Sequence, residues 1–354
     1  MGIRLAIIGA TGAVGAAFLE VLEERTGRAG ALEIDSLRLL ASGRSAGKRL
    51  SFRGEKIAVE DLAKADLAGI DIALFSAGGA ISRSWAPRFV AAGAVVVDNS
   101  SAFRMDPEVP LVVPEINAAA ASDRPKGVIA NPNCSTIILL VPLFPLHREA
   151  RVLSARVATY QAVSGAGARA LEELESQTRD LLEGRAVSPQ ILPHRIGFNL
   201  FSHNSAVGAD GYNEEETKMR KESAKILSDE SIRISATCVR VPVHRAHCEA
   251  ISIETERALS PERAREILAA APGVKVVDDP AKNHFPMPYE ASGQDLVLVG
   301  RIRRDTAAAP GAHGLSLFVS GDQLRKGAAT NAVQIAEFVA RERRATTTAG
   351  AGAR

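Results

Sequence analysis

The feature that most constrains this chain is Gly9-Ala10-Thr11-Gly12-Ala13-Val14-Gly15. It lies directly between an apolar strand, Ile3–Ile8, and a helical pattern over 13–22 with Val14, Phe18, Val21 and Leu22 on one face. Glycines permit a tight turn and let backbone N–H groups approach a pyrophosphate at the helix N-terminus. The spacing is G-x-x-G-x-x-G rather than G-x-G-x-x-G, so the strand–turn–helix context carries the reading, against a plain glycine turn. Further apolar strands at 37–40, 70–75, 94–97 and 111–113 alternate with helical segments. That alternation predicts a parallel sheet covered on both faces.

The middle of the chain changes character. Segments 152–163, 236–243, 251–255, 296–302 and 315–319 read as strands, the first two longer and of mixed polarity, which predicts an antiparallel or mixed sheet with one exposed face. Helices are expected over 169–182, from near Asn213 towards Leu227, and over 327–341 through Ala332, Ile335 and Phe338. A length of 354 residues suits two domains. The fold class is therefore α/β: an N-terminal parallel-sheet domain followed by an α+β domain with a mixed sheet. Residues 346–354 are low in complexity and expected to be disordered.

Lys and Arg total 43 against 41 Asp and Glu, so the formal charge of +2 gives no footprint for nucleic acid or an anionic membrane. Three cysteines cannot build a disulfide framework and leave at least one thiol free, which fits a reducing cytoplasm. The opening residues show no signal-peptide pattern. The longest apolar run, 137–146, contains Pro142 and Pro145 and is too short to cross a bilayer.

Two segments bear on chemistry. The second strand is followed by Ser42-Gly43-Arg44-Ser45, with no acid at its end to hold a ribose 2′-hydroxyl. Arg44 can fork onto a 2′-phosphate and Ser45 can donate a hydrogen bond, which favours NADP over NAD; a solvated basic loop is the alternative. Asn131-Pro132-Asn133-Cys134-Ser135-Thr136 precedes an apolar run that can begin a helix at Cys134. A thiol at a helix N-terminus is shifted towards the reactive thiolate, whereas Cys238 and Cys248 lie in apolar stretches and read as packing.

The GATGAVG opening, the Ser-Gly-Arg-Ser-Ala-Gly-Lys loop, Asp98-Asn99-Ser100-Ser101-Ala102-Phe103-Arg104 and the Asn-Cys-Ser-Thr segment occur in one order with Tyr160-Gln161-Ala162-Val163-Ser164-Gly165 and Leu324-Arg325-Lys326-Gly327-Ala328-Ala329. Together they resemble the aspartate-semialdehyde dehydrogenases, from the first strand to the last helix. The resemblance implies a Rossmann-type first domain, residues 1–133 plus 321–345, and a substrate and dimerisation domain, residues 134–320. It implies NADPH-dependent reduction of L-aspartyl 4-phosphate to L-aspartate 4-semialdehyde, serving lysine, threonine, methionine and isoleucine biosynthesis. Cys134 would form the thioacyl enzyme, His247 would act as acid and base, and Gln161 would orient the acyl group. Arg240 would bind the α-carboxylate, Glu215 the ammonium (Glu214 if the register is off by one), and Lys218 and Arg104 the phosphate. Gly9, Thr11, Gly12, Ala13, Val14, Gly15, Arg44 and Ser45 would hold the dinucleotide, with Ser164, Gly165 and Gln323 at its nicotinamide end. A homodimer is implied, with Cys134 at the junction of the domains.

Other readings stand beside these. Asn213 with Glu216 reads as a helix N-cap by residue pattern alone. His244, His247 and Cys248 resemble a metal cluster, but they lack a second ligand pair and Cys248 alternates away from His247, so no metal is expected. Arg240 and His247 are an odd number of residues apart and can face one site only across a bulge or loop. An N-acetyl-glutamyl-phosphate reductase would share the cofactor loop and nucleophile but have no use for Glu215. A non-catalytic NADP sensor would keep only the dinucleotide scaffold.

Overall fold

Helix formation after the glycine loop follows from the stripe Gly15, Ala17, Phe18, Leu19, Val21 and Leu22, all buried. The computed structural model describes residues 2–351 and divides into two compact units, one of Met1–Pro132 with Ala328–Arg354, the other of Asn133–Gly327. The first unit runs β1 (Ile3–Ile8), α1 (Ala13–Arg25), β2 (Ile34–Ala41), β3 (Arg49–Phe52), β4 (Glu55–Asp61), β5 (Ile72–Phe75), α2 (Gly79–Ala91), β6 (Val95–Asp98), α3 (Pro114–Asn117) and β7 (Val128–Ala130). Its sheet has the order β3-β4-β2-β1-β5-β6-β7, with every neighbouring pair parallel except β3 and β4. Strands β5, β6 and β7 are buried throughout, as a sheet covered on both faces requires.

One expectation for this unit needs correcting, and one element was not expected. Residues 111–113 form no strand; Leu111 makes one isolated bridge to Ala130, because Pro110 and Pro114 flank the segment and deny it ladder donors. The hairpin β3–β4 was not foreseen. Its two-residue turn, Arg53-Gly54, has both residues at positive φ (49° and 79°), the geometry that matches strand twist.

The second unit continues with α4 (Cys134–Ala150), β8 (Val152–Gln161), α5 (Ala168–Leu182), β9 (Phe201–Ser202), α6 (Glu214–Leu227), β10 (Arg233–Arg240), β11 (His247–Thr255), α7 (Pro261–Ala269), β12 (Val274–Val276), α8 (Pro288–Ala291), β13 (Val297–Arg304) and β14 (His313–Gly321). Its sheet is mixed, in the order β12-β13-β14-β11-β8-β10-β9. Along β8 and β10 one face is buried, through Val157, Thr159, Gln161, Ala236, Cys238 and Arg240. The other presents Arg156, Tyr160, Ser235 and Thr237 to solvent. Strand β10 stops at Arg240, before Pro242, rather than continuing to residue 243.

The chain then returns to the first unit through α9 (Thr330–Ala351). The side-chain amide of Asn331 donates to the Val112 carbonyl (2.9 Å) and Asn131 Oδ1 (2.7 Å), and Arg25 grips Glu337 with two hydrogen bonds. Helix α9 extends into the segment 346–354 expected to be disordered, while residues 352–354 lie outside the described residues.

Candidate active site

In the first unit the glycine loop is built for close approach of backbone. Gly9 has φ 86°, and a Cβ there would stand 2.5 Å from the Ser76 carbonyl oxygen. A Cβ on Gly15 would stand 2.4 Å from the Gly9 oxygen. Gly12 is the N-cap of α1 and supplies no side-chain cap, so the helix presents N–H groups that a phosphate can satisfy. Ala13 and Val14 form the first turn behind it. Thr11 Oγ1 donates to Ser45 Oγ at 3.2 Å, joining the glycine loop to the loop that carries exposed Arg44. Arg44 pairs with no carboxylate among the described residues. The set fits a dinucleotide whose pyrophosphate lies against α1.

Arg104 is also in this unit and is buried. Its Nε donates to the Asn131 carbonyl (3.0 Å) and its Nη2 to the Asn99 carbonyl (2.8 Å). The preceding motif is structural: Asp98, fully buried, accepts from Ser82 Oγ (2.6 Å), Ser100 Oγ (2.7 Å) and Ser100 N–H (3.1 Å).

In the second unit Cys134 is the first residue of α4 and is partly exposed. Asn133 caps the helix, its Oδ1 accepting from Ser135 N–H (3.0 Å) and Thr136 N–H (3.2 Å). The Asn133 N–H donates to buried Glu222 at 2.7 Å, fixing the approach to the helix. Gly327 closes the other side, where a Cβ would stand 2.9 Å from the Cys134 Cβ. Cys238 and Cys248 are buried, and burial raises both thiols, Cys248 to about 11. They are unsuited to act as nucleophiles at neutral pH.

Glu215 is the centre of a polar cluster. Its Oε1 accepts from Asn133 Nδ2 (2.8 Å) and Gln161 Nε2 (3.1 Å), and its Oε2 from Lys218 Nζ (3.3 Å). Burial opposes ionisation, but Lys218, His203 and these hydrogen bonds hold the carboxyl at about 2. Glu214 points to solvent, so the register that names Glu215 brings the acid into the cluster. Asn213 and Glu216 form a full capping box, so the helix-start pattern and the buried acid occupy adjacent positions. Gln161 Nε2 also donates to Ser135 Oγ at 3.0 Å.

Arg240 faces Gln161 across the β8–β10 pairing. The loop 241–246 separates it from His247, which opens β11, and this lets both side chains reach the buried face. The Ala162 peptide links them: its carbonyl accepts from Arg240 Nη1 (2.8 Å) and its N–H donates to His247 Nδ1 (3.0 Å). Arg240 Nε and His247 Nε2 are buried, with no hydrogen-bond partner among the described residues. Burial works against the Arg240 charge, while Cys134 and Glu215 favour it. Burial, then Arg240, drives His247 down to about 3, so the ring is neutral with its proton on Nε2. Gly165 lies against both side chains, since a Cβ there would be 3.2 Å from His247 Cε1 and 3.4 Å from Arg240 Nη1. Gln323 Nε2 donates to Ser164 Oγ, and Gln323 Oε1 accepts from Ala246 N–H at 2.9 Å. Among the described residues no three His, Cys, Asp or Glu side chains group as metal ligands; His244 is exposed and Cys248 bonds Ser320.

Sequence reasoning missed Asn133, Glu222 and His203. Asn133 was legible as a cap residue one position before the cysteine; the others meet the site only through tertiary contacts.

A parallel-sheet unit with a glycine loop before its first helix, followed by a mixed-sheet unit with a partly exposed cysteine at a capped helix start, defines an oxidoreductase of the semialdehyde dehydrogenase class. Residues 4–124 match the semialdehyde dehydrogenase NAD binding domain and residues 143–326 the semialdehyde dehydrogenase dimerisation domain. The chain is 54% identical over 345 residues to aspartate-semialdehyde dehydrogenase of Aquifex aeolicus, covering 97% of this chain and 99% of that protein. It is 54% identical over 337 residues to the Synechocystis enzyme of the same name, covering 95% of this chain and 97% of that protein. The fold is similar to aspartate semialdehyde dehydrogenase II of Vibrio cholerae complexed with ASA (TM-score 0.92, 43% identity, 96% and 99% coverage). This chain belongs to the aspartate-semialdehyde dehydrogenase family.

Proposed function

We propose that the protein catalyses NADPH-dependent reduction of L-aspartyl 4-phosphate to L-aspartate 4-semialdehyde and phosphate, through a thioacyl intermediate on Cys134. The observation that carries this reading is the single polar cluster that joins the capped helix start at Cys134 to Glu215, Gln161 and Arg240. A helix N-terminus and a nearby guanidinium both favour an anionic sulfur. That sulfur attacks the acyl carbon and phosphate leaves, so one difficult displacement becomes two easier ones. Arg240 holds the α-carboxylate, with its Nε still available to donate. Glu215 holds the α-ammonium, and a carboxyl held at about 2 is fully ionised for that task. Gln161 orients the acyl group. Lys218 serves the phosphate, and family likeness gives Arg104 the same role.

His247 presents Nε2–H, a donor suited to the oxygen that gathers charge at the reacting carbon. A part as base towards Cys134 requires that proton to leave Nε2 first. NADPH, when bound, supplies the hydride that releases the aldehyde. Arg44 and Ser45 support preference for the 2′-phosphorylated dinucleotide, and Ser164, Gly165 and Gln323 are assigned to its nicotinamide end. The dimerisation-domain match and the exposed face of the second sheet support a homodimer. Three free cysteines support a cytoplasmic setting.

The test is a reverse assay with aspartate semialdehyde, phosphate and either NADP or NAD, followed by mass spectrometry of acyl-trapped enzyme. Turnover with NADP and an adduct on Cys134 are expected. Preference for the N-acetylated glutamate aldehyde, or an adduct on another side chain, overturns the assignment.

A further inference from the structure

Arg240 is held by two acceptors, and neither is an acid. Its Nη1 donates to the Ala162 carbonyl at 2.8 Å, and its Nη2 lies 2.8 Å from His203 Nε2. Arginine offers no acceptor, so Nε2 carries the lone pair and the ring proton resides on Nδ1. That nitrogen faces Ser205 Oγ at 3.1 Å; the Ser205 N–H is also directed at it from 3.3 Å, but the ring has one lone pair and the charged donor at 2.8 Å takes it, which leaves that N–H unsatisfied. Ser205 Oγ also accepts the N–H of Glu215 at 3.2 Å. His203 is itself fixed by its backbone N–H, which donates to the Cys238 carbonyl at 2.8 Å.

We propose that His203 is a positioning residue for recognition of the substrate carboxylate, an uncharged acceptor that aims Arg240 without neutralising it. A carboxylate at this place would bind the guanidinium more tightly, but it would compete with the substrate for the same cation. Water would leave the side chain free to turn. The imidazole avoids both, because burial and the cations Arg240 and Lys218 keep it neutral, outweighing Glu215. Through Ser205 the same ring is tied to the start of α6, so the group that meets the carboxylate and the group that meets the ammonium share one scaffold. This inference rests on the reading that Arg240 binds an α-carboxylate.

Three variants test it in the reverse reaction: His203→Leu, which has no acceptor; His203→Gln, whose Oε1 reaches the place of Nε2; and His203→Asn, polar but too short. His203→Leu and His203→Asn should raise the KM for aspartate semialdehyde by about tenfold or more, with kcat and the KM values for NADP and phosphate within about threefold. His203→Gln should return the KM to within about threefold of the unaltered enzyme. Discrimination against 3-aminopropanal, the same aldehyde without the carboxylate, should shrink in the Leu and Asn variants. If His203→Leu fails to fold, the contrast between Gln and Asn decides. An unchanged KM, or equal losses for Gln and Asn, overturns the inference alone. No turnover of aspartate semialdehyde by the unaltered enzyme overturns the functional reading, and this inference with it.

Discussion

Asn133 couples the helix that begins at Cys134 to the acid at Glu215, and its replacement should separate two effects. Asn133→Ala removes an N-cap that satisfies two backbone N–H groups, a loss of about 0.5–2 kcal/mol. It also removes a hydrogen bond to an ionised, buried carboxylate, worth about 1.5–3 kcal/mol. The two share one side chain and do not simply add, so a total near 3 kcal/mol is expected. Asn133→Asp keeps an oxygen at the cap but sets a second carboxylate where the 2.8 Å donor stood, and two such groups cannot both ionise there.

Hydrogen exchange at the Ser135 and Thr136 amides reads the cap directly, and KM for the amino-acid aldehyde reads the acid. The Ala variant should lose amide protection and substrate affinity together. The Asp variant should keep protection but raise KM by about ten- to a hundredfold, the equivalent of ~1.4–2.8 kcal/mol. Unaltered protection in the Ala variant, or an unaltered KM in the Asp variant, refutes the coupling.

Gly327→Ala should cut kcat and change the iodoacetamide alkylation rate of Cys134, because the added methyl would lie 2.9 Å from the cysteine Cβ; wild-type values for both would show that the contact is slack. Gly15→Ala should abolish dinucleotide binding in titrations monitored by calorimetry, since its Cβ would lie 2.4 Å from the Gly9 oxygen. Arg44→Ala should weaken NADP far more than NAD, and equal losses would remove Arg44 from 2′-phosphate recognition. Glu215 has a folded value of about 2 against 4.5 ordinarily, so its contribution is present above about pH 5 and is lost as pH falls towards 2. Glu215→Gln should therefore flatten the acid limb of the stability curve by roughly 3 kcal/mol, measured by urea titration at several pH values.

The parts legible from sequence are those where local pattern and chemistry coincide. The glycine loop announced itself because strand, turn and helix are contiguous. Cys134 did so because Pro132 and Asn133 precede an apolar helix. The hairpin β3–β4 was hidden because its short strands are mostly polar and only partly buried, though the Arg53-Gly54 pair between them was a usable signal. Residues 111–113 misled because apolar content was weighed above the two flanking prolines. Glu215 was visible only by family likeness, since the capping box next to it explains the same acids structurally. His203 left no local trace: the contact that defines it spans 37 residues.

The first unit takes its last helix from beyond residue 327, so a ribosome must pass the whole of the second unit before that sheet can be sealed. The inserted unit has all its strands earlier and is able to mature first. Truncated products therefore carry Cys134 but no finished first unit, and the apolar surface that α9 would cover on the nascent sheet is where chaperones should engage.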